Sequence, residues 1–133
     1  MFVVQRAHHF EYCSFHLFAL GFLFLSQQNY FHNEDYINSF KYLNIANSND
    51  DYEILYYLGA CKYHLGQYQS AIPFYKKSLI INPNNPYAIY LLGQTYIALG
   101  DKKEAKRQLK LLLNLDNTLF ETLKLSFNTK FDI

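Results

Sequence analysis

Residues 58–72 read LGACKYHLGQYQSAI, with glycines at 59 and 66 and an alanine at 71. A glycine in a helix interior costs about 1 kcal/mol relative to alanine, so a helix that carries one needs a compensating contact. The pattern returns 34 residues later: Tyr56 matches Tyr90, Leu58 Leu92, Gly59 Gly93, Leu65 Leu99, Gly66 Gly100 and Ala71 Ala105. A fixed period in this range marks a stacked array of helix pairs, each burying its apolar face against the next. In such a pair Gly59 and Gly93 admit the partner helix where a side chain would block it. Gly66 and Gly100 supply a left-handed residue where the chain reverses. Ala71 and Ala105 keep the second helix close to the first.

The end signals agree. Asp50 with Glu53 reads as a capping pair opening a helix at Tyr52. In NPNNP (Asn82 to Pro86), Asn85 reads as an N-cap and Pro86 as a first helical residue. Asp101 and Glu104 open a further helix, and Thr118 with Glu121 forms a capping box ahead of an apolar face of Leu119, Phe120, Leu123 and Phe127. Pro73, a turn into its helix, removes a backbone donor and predicts a tightened or bent start.

With this period and these glycines and alanines the chain resembles the tetratricopeptide repeat family. The expected fold is all-α, a right-handed superhelical array of three helix pairs with a C-terminal capping helix. The units are 52–85 and 86–117, preceded by a degenerate unit at 20–51 and a flank at 1–19, and followed by a capping helix and tail at 118–133. The degenerate unit rests on NEDYINSFKYLNIA (Asn33 to Ala46), where Tyr36, Ser39, Leu43 and Ala46 match Tyr68, Ala71, Tyr75 and Ser78 in a register two residues shorter. Gln27 and Glu34 stand in its two glycine slots, and its first helix is expected over Leu20 to Phe31.

The resemblance implies that the first helices of the pairs line a concave groove that binds peptides. Carried over by register, the groove residues are Phe24, Gln28, Phe31 and His32; then Glu53, Tyr56, Tyr57, Ala60, Tyr63 and His64; then Tyr87, Tyr90, Leu91, Gln94, Ile97 and Ala98. Tyr57 and Leu91 read equally as core. Tyr56, Tyr63, Tyr87 and Tyr90 are expected to face the groove, since tyrosine offers a large contact area with a polar tip. The heat-shock-protein carboxylate clamp is not expected: its cationic slots hold Phe24, Tyr56, Tyr90, Gln28 and Ala60 here.

LGACKYHLGQYQSAI, LLGQTYIALGDKKEAKRQL and FETLKL together are similar to the class II chaperones of type III secretion translocators. That similarity implies a small cytoplasmic protein holding an extended hydrophobic segment of its partner, with dimerisation through an N-terminal helical segment. The alternative is a repeat adaptor joining partners in a multiprotein complex.

Other chemistry finds little support. A formal net charge of +1 gives no argument for nucleic acid. Lys102, Lys106 and Lys110, beside Lys103 and Arg107, lack interleaved aromatics and read as a solvated face. Two cysteines, Cys13 and Cys61, make no disulfide framework. His9, Cys13 and His16 lie at helical spacing but have no fourth metal partner, so no metal or cofactor is expected. The apolar run Phe15 to Leu25 is too short to cross a bilayer and lacks a cleavage pattern, so it reads as a buried helix. No phosphate loop, H-E-x-x-H or G-x-S-x-G is present, and no enzyme is expected.

Overall fold

The computed structural model describes residues 33–47 and 50–131, in which all regular structure is helical. Six helices follow one another: α1 Asn33–Ala46, α2 Tyr52–His64, α3 Tyr68–Ile81, α4 Pro86–Leu99, α5 Lys102–Leu113 and α6 Asn117–Phe131. Helices α2 and α4 open 34 residues apart, as do α3 and α5, so the sequence period is the structural one. Each helix packs on its chain neighbours, and α6 lies against both α5 and α4. Helix α1 coincides with the second helix expected for the degenerate unit. The first helix expected there, the flank and the His9–Cys13–His16 face lie outside the described residues.

The reversals within each pair are alike. Gly66 and Gly100 both have φ +77°. The Gly66 N–H donates to the Tyr63 carbonyl and the Gln67 N–H to Lys62, each at 2.9 Å. One period later Gly100 donates to Ile97 at 3.0 Å and Asp101 to Tyr96 at 2.9 Å. This glycine-centred ending satisfies carbonyls that the last helical turn leaves open.

The two interior glycines do different work. A Cβ on Gly59 would lie 2.6 Å from Tyr75 Cε1, on the second helix of its own pair, as expected. A Cβ on Gly93 would meet Leu123 Cδ2 at 2.6 Å and Gln108 Cβ only at 3.3 Å. Gly93 therefore chiefly makes room for α6, and only secondarily for its own partner α5. Ala71 and Ala105 are fully buried, in a core with Leu55, Leu58, Tyr75, Ile89, Leu92, Leu112, Leu123 and Phe127.

Two caps fall elsewhere than expected. Asp51 caps α2, accepting from Glu53 N at 2.9 Å and Ile54 N at 3.3 Å. A side chain must immediately precede the first helical residue to reach those amides. Asp50 instead adopts a left-handed φ of 49° and pairs with Lys77 at 3.1 Å. Likewise Asp116, not Thr118, receives the Leu119 N–H at 2.9 Å, and Thr118 lies inside α6. Asn85 and Asp101 cap α4 and α5 as expected. Pro73 sits within a helix that is α-helical from Tyr68 to Ile81. The carbonyl its missing N–H leaves open belongs to Gln69, an exposed residue, where water can serve it.

Candidate functional site: an aromatic groove between the first helices

Stacking α2 beside α4, with α6 beyond, leaves a groove of about 890 Å³ along their inner faces. From α2 it takes Tyr52, Glu53, Tyr56, Tyr57, Tyr63 and His64; from the connecting turn, Asn82, Asn84 and Asn85. Helix α4 adds Pro86, Tyr87, Tyr90, Leu91 and Gln94, and α6 adds Leu119 and Thr122. Six tyrosines thus share one surface. Their rings supply apolar area at low entropic cost while the hydroxyls can still bond a peptide backbone.

The tyrosines differ in depth. Tyr87 is the most open, 57% exposed. Tyr63 and Tyr90 are half-buried. Tyr56, expected to face the groove, is only 8% exposed. Its ring lies against Tyr57, centroids 4.3 Å apart, and this contact draws it inward. Tyr57 itself is a core residue with one edge on the groove. Burial raises the ionisation of the Tyr56 phenol far above its ordinary value and pushes Tyr57 up to about 12. The Tyr63 phenol is raised for the same reason. All three are neutral, hydrogen-bonding groups at physiological pH.

Ala60 and Ile97 do not line the groove: they are 0% and 6% exposed and belong to the packed interior. One residue of rotation along a helix turns a side chain by about 100°, enough to move it from groove to core. Ala98 is half-buried and also lies outside the groove lining. Phe24, Gln28, Phe31 and His32 lie outside the described residues.

His64 stacks on Tyr36 of α1 with centroids 5.0 Å apart, and Tyr63 meets it edge-on at 5.3 Å. Burial lowers the His64 pKa, so the ring is neutral near pH 7. Gln94 is already engaged, donating through Nε2 to the Tyr90 hydroxyl at 2.9 Å and to Ser126 Oγ at 3.2 Å. It ties α4 to α6 and holds the Tyr90 hydroxyl as an acceptor.

The turn asparagines and α6 were not anticipated as groove residues. Asn85 carries a cap signal that accounts for it fully, and a C-terminal capping helix is expected to end the array, not to line a groove. Continuing the array supplies the missing signal: a helix after α5 takes the place of another first helix, so its inner face extends the groove.

The lysine stripe lies on the opposite side. Lys102, Lys103, Lys106, Arg107 and Lys110 are all exposed, while Ala105, Leu109 and Leu112 of the same helix are buried. Cys61 is buried, its thiol pushed up to about 12 by that burial, as a small core residue should be. Among the described residues no cluster could hold a metal ion, and no helix is long and apolar enough to cross a membrane.

Comparisons with known proteins agree with this architecture. Residues 63–124 match the tetratricopeptide repeat model. No curated protein matches in sequence. In structure the chain is similar to the Yersinia enterocolitica type III secretion chaperone SycD in complex with a peptide of the translocator YopD: TM-score 0.67, 20% identity, 90% of this chain and 88% of that one covered. A second structure of the Yersinia enterocolitica type III secretion translocator chaperone SycD superposes with TM-score 0.68 at 18% identity, over 89% and 81% of the two chains. PcrH in complex with the chaperone binding region of PopD gives 0.68 at 20% identity, over 87% and 89%. Residues 63–124 thus match the tetratricopeptide repeat model, and the chain is similar in its all-helical fold to type III secretion translocator chaperones.

Proposed function

We propose that the chain is a non-enzymatic binding protein that holds an apolar segment of a partner in the α2–α4–α6 groove. Its most specific reading is a cytoplasmic chaperone of a hydrophobic type III secretion translocator. The observation that carries this is the groove itself, about 890 Å³ and lined by six tyrosines. Two structures of similar fold were solved with translocator segments bound, which supports the same use of the fold here. A partner segment that is apolar and prone to aggregate gains from burial on such a surface at roughly 25 cal/mol per Å², while tyrosine hydroxyls satisfy its backbone.

The test is affinity capture from the native organism with the unaltered chain and with Tyr63→Ala/Tyr87→Ala/Tyr90→Ala, the two matched for helicity. Recovery of one hydrophobic exported protein, lost with the triple change, is the expected result. Several partners with folded domains or charged tails would favour an adaptor instead. The same partners on both versions would refute the groove.

A further inference from the structure

The charges of this chain are unevenly placed. Of its 12 basic residues, Lys76 and Lys77 stand on α3, which has no acid. Helix α5 adds Lys102, Lys103, Lys106, Arg107 and Lys110 against one acid, Glu104. All of these cations are exposed. The first helices of the same pairs, α2 and α4, together hold one cation, Lys62, and one acid, Glu53. A formal net charge of +1 therefore hides a basic outer face on the side away from the groove.

Little of that charge is neutralised. Asp50 meets Lys77 at 3.1 Å and Glu104 meets Arg107 at 3.7 Å, both at the surface, where such pairs are weak. Asp51, Asp101 and Asp116 are taken up by helix amides. Among the described residues no carboxylate pairs with Lys76, Lys103, Lys106 or Lys110.

Aliphatic side chains share this face. Ile80, 79% exposed, stands one helical turn from Lys76 and Lys77. Leu111 and Leu113, also exposed, stand one turn from Arg107 and Lys110. The period turns the two helices alike: Lys76 and Lys110 lie 34 residues apart, as do the exposed Ile81 and Leu115. The furrow between α3 and α5 is not an anion pocket, since Asp101 and Glu104 line it with Lys76 and Arg107, and Lys103, Lys106 and Lys110 lie outside it. A broad field of lysines rather than arginines, with aliphatic side chains among them, suits many mobile anionic headgroups better than one shaped acidic site.

We propose that the outer face of α3 and α5 docks on an anionic lipid membrane. The lysines engage headgroups, Ile80, Leu111 and Leu113 enter the interface, and the groove on the other side stays open.

The probe is vesicles of phosphatidylcholine, alone or with about one-third phosphatidylglycerol, floated with the full chain. At low salt the chain should float with the anionic vesicles and not with the neutral ones. Each of Lys76→Gln, Lys106→Gln and Lys110→Gln, all exposed and checked for unchanged helicity, should lower the partition coefficient about fivefold, equivalent to about 1 kcal/mol. Ile80→Ser should weaken binding with the charge unaltered. Raising salt from about 0.1 M to about 1 M, which cuts the screening length from about 10 Å to about 3 Å, should release the chain. Tyr87→Ala/Tyr90→Ala should change nothing, and loss of flotation with that variant would place the contact on the groove and overturn the proposal. Equal flotation with neutral vesicles, as an apolar anchor such as Phe15 to Leu25 would give, overturns it, as does anionic binding that survives all three lysine changes. No flotation with anionic vesicles overturns it outright, and retention on polyglutamate in that case would point to an acidic protein surface instead.

Discussion

Replacing Gly59 by alanine would normally stabilise a helix by about 1 kcal/mol. Here the new methyl would lie 2.6 Å from Tyr75 Cε1, 2.8 Å from Cδ1 and 3.0 Å from Cζ. Tyr75 is fully buried and rigid, so the ring can yield only by moving α3. Overpacking of a closed core costs about 1–3 kcal/mol, which exceeds the propensity gain over most of that range. The expected net loss is centred on about 1 kcal/mol and reaches at most about 2 kcal/mol, or about 3–7 °C in Tm for a chain of this size. Urea unfolding followed by circular dichroism measures it. Tyr75→Leu should relieve the clash, so the double variant should lose less than its two singles combined. Tyr75→Phe should give no relief, because the contact is with the ring and not the hydroxyl. A Gly59→Ala protein as stable as the parent would refute the claim that this glycine exists for close approach.

Further outcomes are expected elsewhere. Asp51→Ala should cost about 1 kcal/mol by removing the α2 cap, whereas Asp50→Gly, at a left-handed φ and with only an exposed ion pair to lose, should leave the urea midpoint level or higher. Stability should fall cooperatively at alkaline pH. Cys61 and Tyr57, held protonated by burial up to about 12, stabilise the fold fully below their ordinary values of 9.0 and 10.0, and that contribution is lost as pH rises toward 12. Phenolate absorbance should therefore rise together with loss of helicity, and buried phenols that ionise while helicity stays intact would contradict this. Thiol reagents followed by peptide mass mapping should leave Cys61 unmodified until the chain unfolds. Gln94→Ala should lower stability by about 0.5–1.5 kcal/mol through loss of the α4–α6 link; an unchanged urea midpoint would show that the link is solvated away.

The array was legible because its determinants are local. Glycines where φ is positive, and Asn85–Pro86 or Asp101 at helix starts, each act within one turn of the chain, and the glycines recur at a period of 34. Neighbouring acidic residues blurred the cap at α2: Asp50 and Asp51 are chemically alike, and only the chain path into the helix decides which reaches the amides. The groove was legible as a surface of first helices but not residue by residue. Ala60 and Tyr56 carry side chains compatible with either core or groove, and the choice depends on how far each helix is rotated against its neighbours.

What the sequence determined by itself is the repeat: its period, its reversals and the apolar supply that makes each helix pair bury a face. Those follow from backbone conformation and short-range hydrogen bonding, which the residues at each position dictate. Only the tertiary structure decided that Gly93 answers to Leu123 of α6 more than to its own partner helix, that Tyr57 packs inward while Tyr87 stands out, and that Glu53 and Asn85 share the groove. These depend on contacts between residues some 30 apart in the chain, where interhelix rotation and packing, rather than any local preference, set which side chain meets which.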